Sequence, residues 1–128
     1  MMIAGIGCRK GVAPEDILSA IETALEAHGL AVTALSALAT ASIKSGEQAI
    51  LAAGHRFDLP VLVVDDASLA AAASRTLTRS EASIEATGSP SVSEAAALAA
   101  AGEGSTLIGP RIVVGPATCA IAISGARI

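Results

Sequence analysis

The opening stretch MMIAGIGCRKGVAPEDI (1–17) decides the fold. Residues 2–6 form a short apolar run closed by Gly7, and from Pro14 the spacing Ile17, Ile21, Leu25, with Leu18 beside it, follows one helical face. Pro14 suits a first helical turn and Gly29 suits the C-terminal stop. A strand running through glycines into a helix gathers backbone N–H groups and the positive helix end in one place, a setting for a phosphate or carboxylate. Arg9 and Lys10 would reinforce it. The glycines stand at 5, 7 and 11, so the third is one residue late for the dinucleotide fingerprint, and no Gly-Lys-Ser/Thr follows to make a P-loop. On the plainer reading, the glycines only permit a tight strand-to-helix turn.

The alternation continues outward. Residues 31–40 favour a strand by position, since they follow a helix and precede the turn-like Lys44-Ser45-Gly46. Residues 47–53, closed by Gly54, read as a second helix. Pro60-Val61-Leu62-Val63-Val64 is the strongest strand signal, and Asp65-Asp66 after it begin a short helix. Residues 91–101 form a helix ended by Gly102, and residues 105–108 and 117–124 supply two late strands. In the last of these, Cys119, Ile121 and Ile123 alternate with Thr118, Ala120 and Ala122. The order predicts a single α/β domain over 1–128, a mostly parallel β-sheet flanked by helices, with the last two strands paired antiparallel through the 109–116 loop. The polar stretch 74–93, broken by Gly88 and Pro90, does not mark a second domain, and its Arg75, outside the motifs, serves as the comparison cation for them.

Composition excludes several classes. Of the 128 residues 52% are hydrophobic, much of that alanine, and no apolar run approaches the roughly 18 to 20 residues that span a bilayer. The first residues are too short for a signal peptide, so the cytoplasm is the expected compartment. A net charge of -4 and a single aromatic residue, Phe57, argue against a nucleic-acid partner. Cys8 and Cys119 are expected as thiols. With His28 and His55 they form no recognised metal spacing, so neither a metal nor a cofactor is expected. Both histidines read as helix-end residues.

Further signals sit on helix starts. Ser91-Val92-Ser93-Glu94 has the form of a capping box, and Asp65 that of an N-cap. Lys44 and Glu47 stand on a loop that leaves the sheet on the same edge as the opening loop, provided the second strand is parallel to the first. GIGCRKG (5–11), SIKSGE (42–47) and VVDDAS (63–68) would then face one crevice.

GIGCRKG, SIKSGEQAIL (42–51), GSPSVSEAAALAAAG (88–102) and TCAIA (118–122), in that order, resemble the cobalamin biosynthesis CobE/CbiG C-terminal family across nearly the whole chain. In that family the module is either a stand-alone protein or the last domain of a cobalt-precorrin lactone hydrolase, and this chain is similar to the stand-alone form. The resemblance implies a precorrin or corrinoid ligand, whose many acetate and propionate groups call for several anion contacts. The family's recurrent positions match Gly7, Cys8, Arg9 and Gly11, then Lys44 and Glu47, then Ser91 and Glu94; Arg111 falls where the family commonly has lysine. Lys10 adds a cation beside Arg9. Val12 and Ala13 occupy the stretch where a hydroxyl often precedes the first helix, which removes a side-chain cap. With so few aromatics, the ring would be held by aliphatic contacts and carboxylate clamps.

Two functions from different classes follow. A binding module would hold or hand over a corrin-ring intermediate, using Arg9, Lys10, Lys44 and Arg111 for its carboxylates. A hydrolase would open a lactone, with Glu47 as general base and Lys44 stabilising the developing charge. A third reading is a structural partner of another pathway enzyme. Cys8 lacks a base placed near it by sequence, although a helix N-terminus and neighbouring cations lower a thiol pKa. Cys8→Ser is therefore expected to retain pathway function in complementation of a deletion strain; loss of growth with a folded protein would make the thiol essential.

Overall fold

The computed structural model describes residues 1–9, 11–41, 47–77, 91–102 and 104–124. The apolar opening run becomes β1 (Met2–Cys8), and the helical spacing becomes α1 (Pro14–Ala27), which ends before Gly29 at φ +65°. A 3-10 turn at Val32–Ala34 leads into β2 (Ala37–Ala41). There follow α2 (Gln48–Arg56), β3 (Val61–Val64), α3 (Asp66–Ala72) and α4 (Val92–Ala101). The chain closes with β4 (Thr106–Leu107), β5 (Ile112–Val114) and β6 (Ala117–Ile123). No helix among the described residues is long and apolar enough to cross a membrane.

The six strands form one sheet in the order β3-β2-β1-β6-β4, with β5 also on β6. β1 pairs in parallel with β2, and β2 with β3; β6 runs antiparallel to β1, β4 and β5. Every strand except β6 therefore points the same way. α1 and α2 cover one face, where Ile17, Ile21, Leu25 and Ile50 pack on Ala4, Ile6, Leu38, Cys119 and Ile121. α3 and α4 cover the other, where Leu69 and the alanines of α4 meet Ile3, Ala37, Ala39 and Ala122.

The second face is made of small residues, and the glycines of β1 show why. A Cβ on Gly5 would run into the carbonyl oxygen of Ser93 and lie 2.7 Å from the amide nitrogen of Ala97. One on Gly7 would lie 2.7 Å from Thr118 Oγ1. Gly5 and Gly7 thus lie inside the strand and admit the backbone of α4, instead of forming the strand-to-helix turn that their spacing suggested. Only Gly11, at φ +76°, serves that turn.

Three further expectations need correction. α2 runs through Gly54 to Arg56, because a Cβ at Gly54 would stand 2.6 Å from Val61 Cγ2: the glycine is there for close approach to β3, not as a stop. The 109–116 loop contains β5, joined to β6 by a two-residue turn at Gly115 (φ +57°) and Pro116. Arg75 is not free, since its Nη1 donates to the carbonyl of Ser105 at 2.9 Å and so ties the end of α3 to the start of β4.

The close packing sets an expectation. Gly5→Ala pushes a methyl into a helix backbone that cannot move alone, so a loss of about 3 kcal/mol is expected in urea unfolding, at the upper end of overpacking costs. Gly7→Ala meets a rotatable hydroxyl and should lose about 1 kcal/mol. Equal losses at the two positions would count against this packing.

Candidate ligand-binding site

The parallel order β3-β2-β1 puts the carboxyl ends of these strands on one edge, as the crevice expectation requires. The opening loop is held there from two sides. The Arg9 N–H donates to Pro116 O at 3.0 Å, and the Gly11 N–H to Glu47 Oε2 at 3.3 Å. Glu47 therefore ties the first two loops together. Lys10 and Lys44 lie outside the described residues. Asp65 caps α3 by accepting the Ser68 N–H at 2.7 Å, a bond that holds its carboxyl below the usual range.

The α4 end of the site departs from the capping-box expectation. Ser91 is buried as N-cap of α4, but its side chain makes no cap hydrogen bond. Glu94 is 0% exposed, and its Oε1 accepts the Leu77 N–H at 2.8 Å while Oε2 accepts the Arg111 N–H at 2.8 Å. A buried carboxylate is tolerable when donors meet it, and here two backbone N–H groups do. Glu94 is a positioning residue that joins the segment after α3 to the start of β5. Neither link could be read from the motif, because both donors are main-chain groups distant in sequence.

Acids stand at the helix starts. α1 has Glu15 and Asp16 in its first turn, α2 has Glu47 at its N-cap, α3 has Asp65 and Asp66, and α4 has Glu94. An acid thus stands at the start of each helix; Asp65 accepts a helix-start N–H, while Glu47 and Glu94 turn their carboxylates to Gly11 and to Leu77 and Arg111. Arg9 and Arg111 differ: their guanidinium groups make no hydrogen bond or ion pair among the described residues. Cys8, half-buried, ends β1 opposite Ala117. Cys119 is fully buried and its thiol is pushed up to about 12 by desolvation, which leaves it inert. His28 caps the end of α1 with its ring against Gly109, and His55 lies in the last turn of α2.

This is an open α/β domain with polar loops gathered at the carboxyl ends of its parallel strands, the class that receives small molecules along that edge. A family model described as "Cobalamin synthesis G C-terminus" matches residues 2–122, and the chain belongs to that family. It is 37% identical over 121 residues to Protein CobE from Sinorhizobium sp, covering 94% of this chain and 79% of that one. The crystal structure of CobE, a protein from the cobalamin (vitamin B12) biosynthetic pathway, matches with a TM-score of 0.90 at 35% identity, over 95% of this chain and 89% of that chain. Cobalamin biosynthesis protein chiG from Agrobacterium tumefaciens str. C58 matches with a TM-score of 0.78 at 45% identity, over 98% and 100% of the two chains. A putative cobalamin biosynthesis protein G homolog from Sulfolobus solfataricus shares the fold, with a TM-score of 0.69 at 22% identity, and this chain covers 36% of it. The chain is a cobalamin biosynthesis pathway protein.

Glu94→Gln keeps the shape but turns one acceptor oxygen into a donor facing a backbone N–H. A loss of about 2 to 3 kcal/mol in urea unfolding is expected, the scale of a hydrogen bond to a charged group plus an unmet donor. Stability equal to wild type would mean that the carboxylate does not hold the two segments.

Proposed function

We propose that this protein binds a corrin-ring polycarboxylate intermediate of cobalamin biosynthesis, or hands it over, in the cytoplasm, without changing it covalently. The observation that carries the reading is the contrast between Glu47 and Glu94, whose carboxylates are taken up by backbone N–H groups, and the guanidinium groups of Arg9 and Arg111, which have no partner among the described residues. Both arginines have their backbones anchored, Arg9 on Pro116 and Arg111 on Glu94, so they offer cations from fixed starting points. Family membership supports the ligand class, since precorrins and corrinoids carry acetate and propionate groups. Lys10 and Lys44 would add charge on the same edge, and Gly11, with open space where its Cβ would stand, would let a ligand approach the backbone beside Cys8, while Gly7 serves from within β1 by admitting α4. Ser91 and Glu94 would shape the site from beneath.

Titration of the purified protein with precorrins and cobyrinic acid, followed by absorbance and then mass analysis, tests the proposal. A spectral shift at unchanged mass is the expected result. Opening of a lactone, seen as a gain of one water, would favour the hydrolase reading with Glu47 as base. Failure to bind any member, alongside co-purification with a pathway enzyme, would favour the structural partner.

Arg9→Ala, Lys44→Ala and Arg111→Ala should each weaken binding by roughly 1.5 to 3 kcal/mol where the contact is shielded from water. Arg56→Ala is the comparison, because Arg56 is exposed at the C-terminal end of α2, opposite the end where Glu47 meets the opening loop, and Arg75 has a structural bond. Losses no larger than that of Arg56→Ala, vanishing at high salt, are what solvated cations would give.

A further inference from the structure

We infer that the face of β5 on the α4 side is the shelf on which the apolar ring of the ligand lies, with Arg111 and Arg9 meeting carboxylates at its two ends; this rests on the corrinoid reading above. The orientation follows from the pairing. Val113 stands opposite Thr118, and Thr118 opposite Gly7, whose missing Cβ would point at Thr118 Oγ1 and toward Ser93 of α4. Ile112 and Val114, on either side of Val113, pack instead into the core beneath α1. Val113 therefore stands on the α4 side.

No described helix covers that spot. α4 packs over β1, β2 and β6, while β5 lies beyond β6 at the rim of the sheet. Val113 is 59% exposed as a result. Leu77, 60% exposed, is brought to the same rim because Glu94 holds its N–H with one carboxylate oxygen and that of Arg111 with the other. Two large aliphatic side chains thus stand open beside the strand.

Charge selects the occupant. Arg111 precedes Val113 by two residues, and Arg9 is anchored on Pro116 just past the end of β5. Residues 104–124 contain no Asp or Glu, and Arg111 is their only charge, within a chain of net charge -4. The other exposed apolar strand, β3 with Leu62 and Val63, is flanked by Asp58, Asp65 and Asp66, which would repel carboxylates. A flat aliphatic-edged ring with carboxylates on its rim fits the β5 shelf and is rejected at β3. A small polycarboxylate without a ring would leave Leu77 and Val113 exposed to water.

The sequence has no Trp or Tyr, so an introduced tryptophan is a lone reporter. Val113→Trp and Leu62→Trp place it at opposite rims of the sheet, about 19 Å apart across four strand spacings. Each chain is titrated with cobyrinic acid, whose corrin absorbance quenches nearby indole emission. Val113→Trp is expected to be quenched several-fold more than Leu62→Trp, along the same saturation curve as the absorbance change. In chains that keep the wild-type melting temperature, Val113→Asp and Leu77→Asp should raise Kd at least tenfold, and Leu62→Asp less than twofold. If the unmodified chain binds but Leu62→Trp is quenched as strongly, or Val113→Asp binds within twofold of wild type, the shelf is wrong and the corrinoid reading stands. If the unmodified chain does not bind, both fall. Concentration-dependent dimerisation abolished by Val113→Asp would assign this face to a second copy of the chain and overturn the inference.

Discussion

The contact of α4 with the glycines of β1 is the constraint on which the rest of the structure depends. With hydrogen at Gly5 and Gly7, the helix backbone rests directly on the central strand. Most neighbours are correspondingly small, Ala37, Ala39, Ala41 and Ala122 on the sheet side and Ala95 to Ala97 and Ala101 on the helix, with Ile3, Val64, Leu69 and Leu98 as the larger members of the cluster. The high alanine content of the chain is thus a packing solution. Small side chains bury little area each, and the close approach compensates with many short dispersion contacts at interior density. The larger aliphatics are concentrated on the opposite face, beneath α1 and α2.

The same contact positions the chemistry. Because α4 is pressed onto the carboxyl end of β1, its first turn brings Glu94 against the sheet, out of water. A carboxylate in that position needs donors, and the backbone N–H groups of Leu77 and Arg111 supply them. Packing in the middle of the fold thereby determines where the β5 rim and its arginine stand. Glu47 does the corresponding work on the other side, reaching across to Gly11. The acids of the motifs serve as internal ties.

Much of this was legible. Ile17, Ile21 and Leu25 announced α1 by their period, and Val61 to Val64 announced β3 by β-branching between a proline and two acids. Asp65 was correctly read as a cap because that bond is local, to Ser68 three residues on. β5 was missed, although Ile112-Val113-Val114 carries a strand signal, because three residues between Arg111 and Gly115-Pro116 resemble a loop until β6 pairs with them. Ser91-x-x-Glu94 matched a local motif, yet the carboxylate spends its bonds on distant main-chain donors.

The order of strands and helices apart from β5, the parallel start of the sheet and the family were determined by the sequence alone. Period, propensity and motif order act within a few residues or survive as text, so they can be read without coordinates. What a glycine is for and what a carboxylate holds were decided only by the tertiary structure. Gly5, Gly7 and Gly54 read as turn or stop residues until a helix or strand arrives within a methyl's width of them. Arg75 reads as a residue outside the motifs and Glu94 as a local cap until partners from 17 to 30 residues away close on them. Both decisions depend on contacts between segments that folding alone brings together, and no local pattern encodes a neighbour that is distant along the chain.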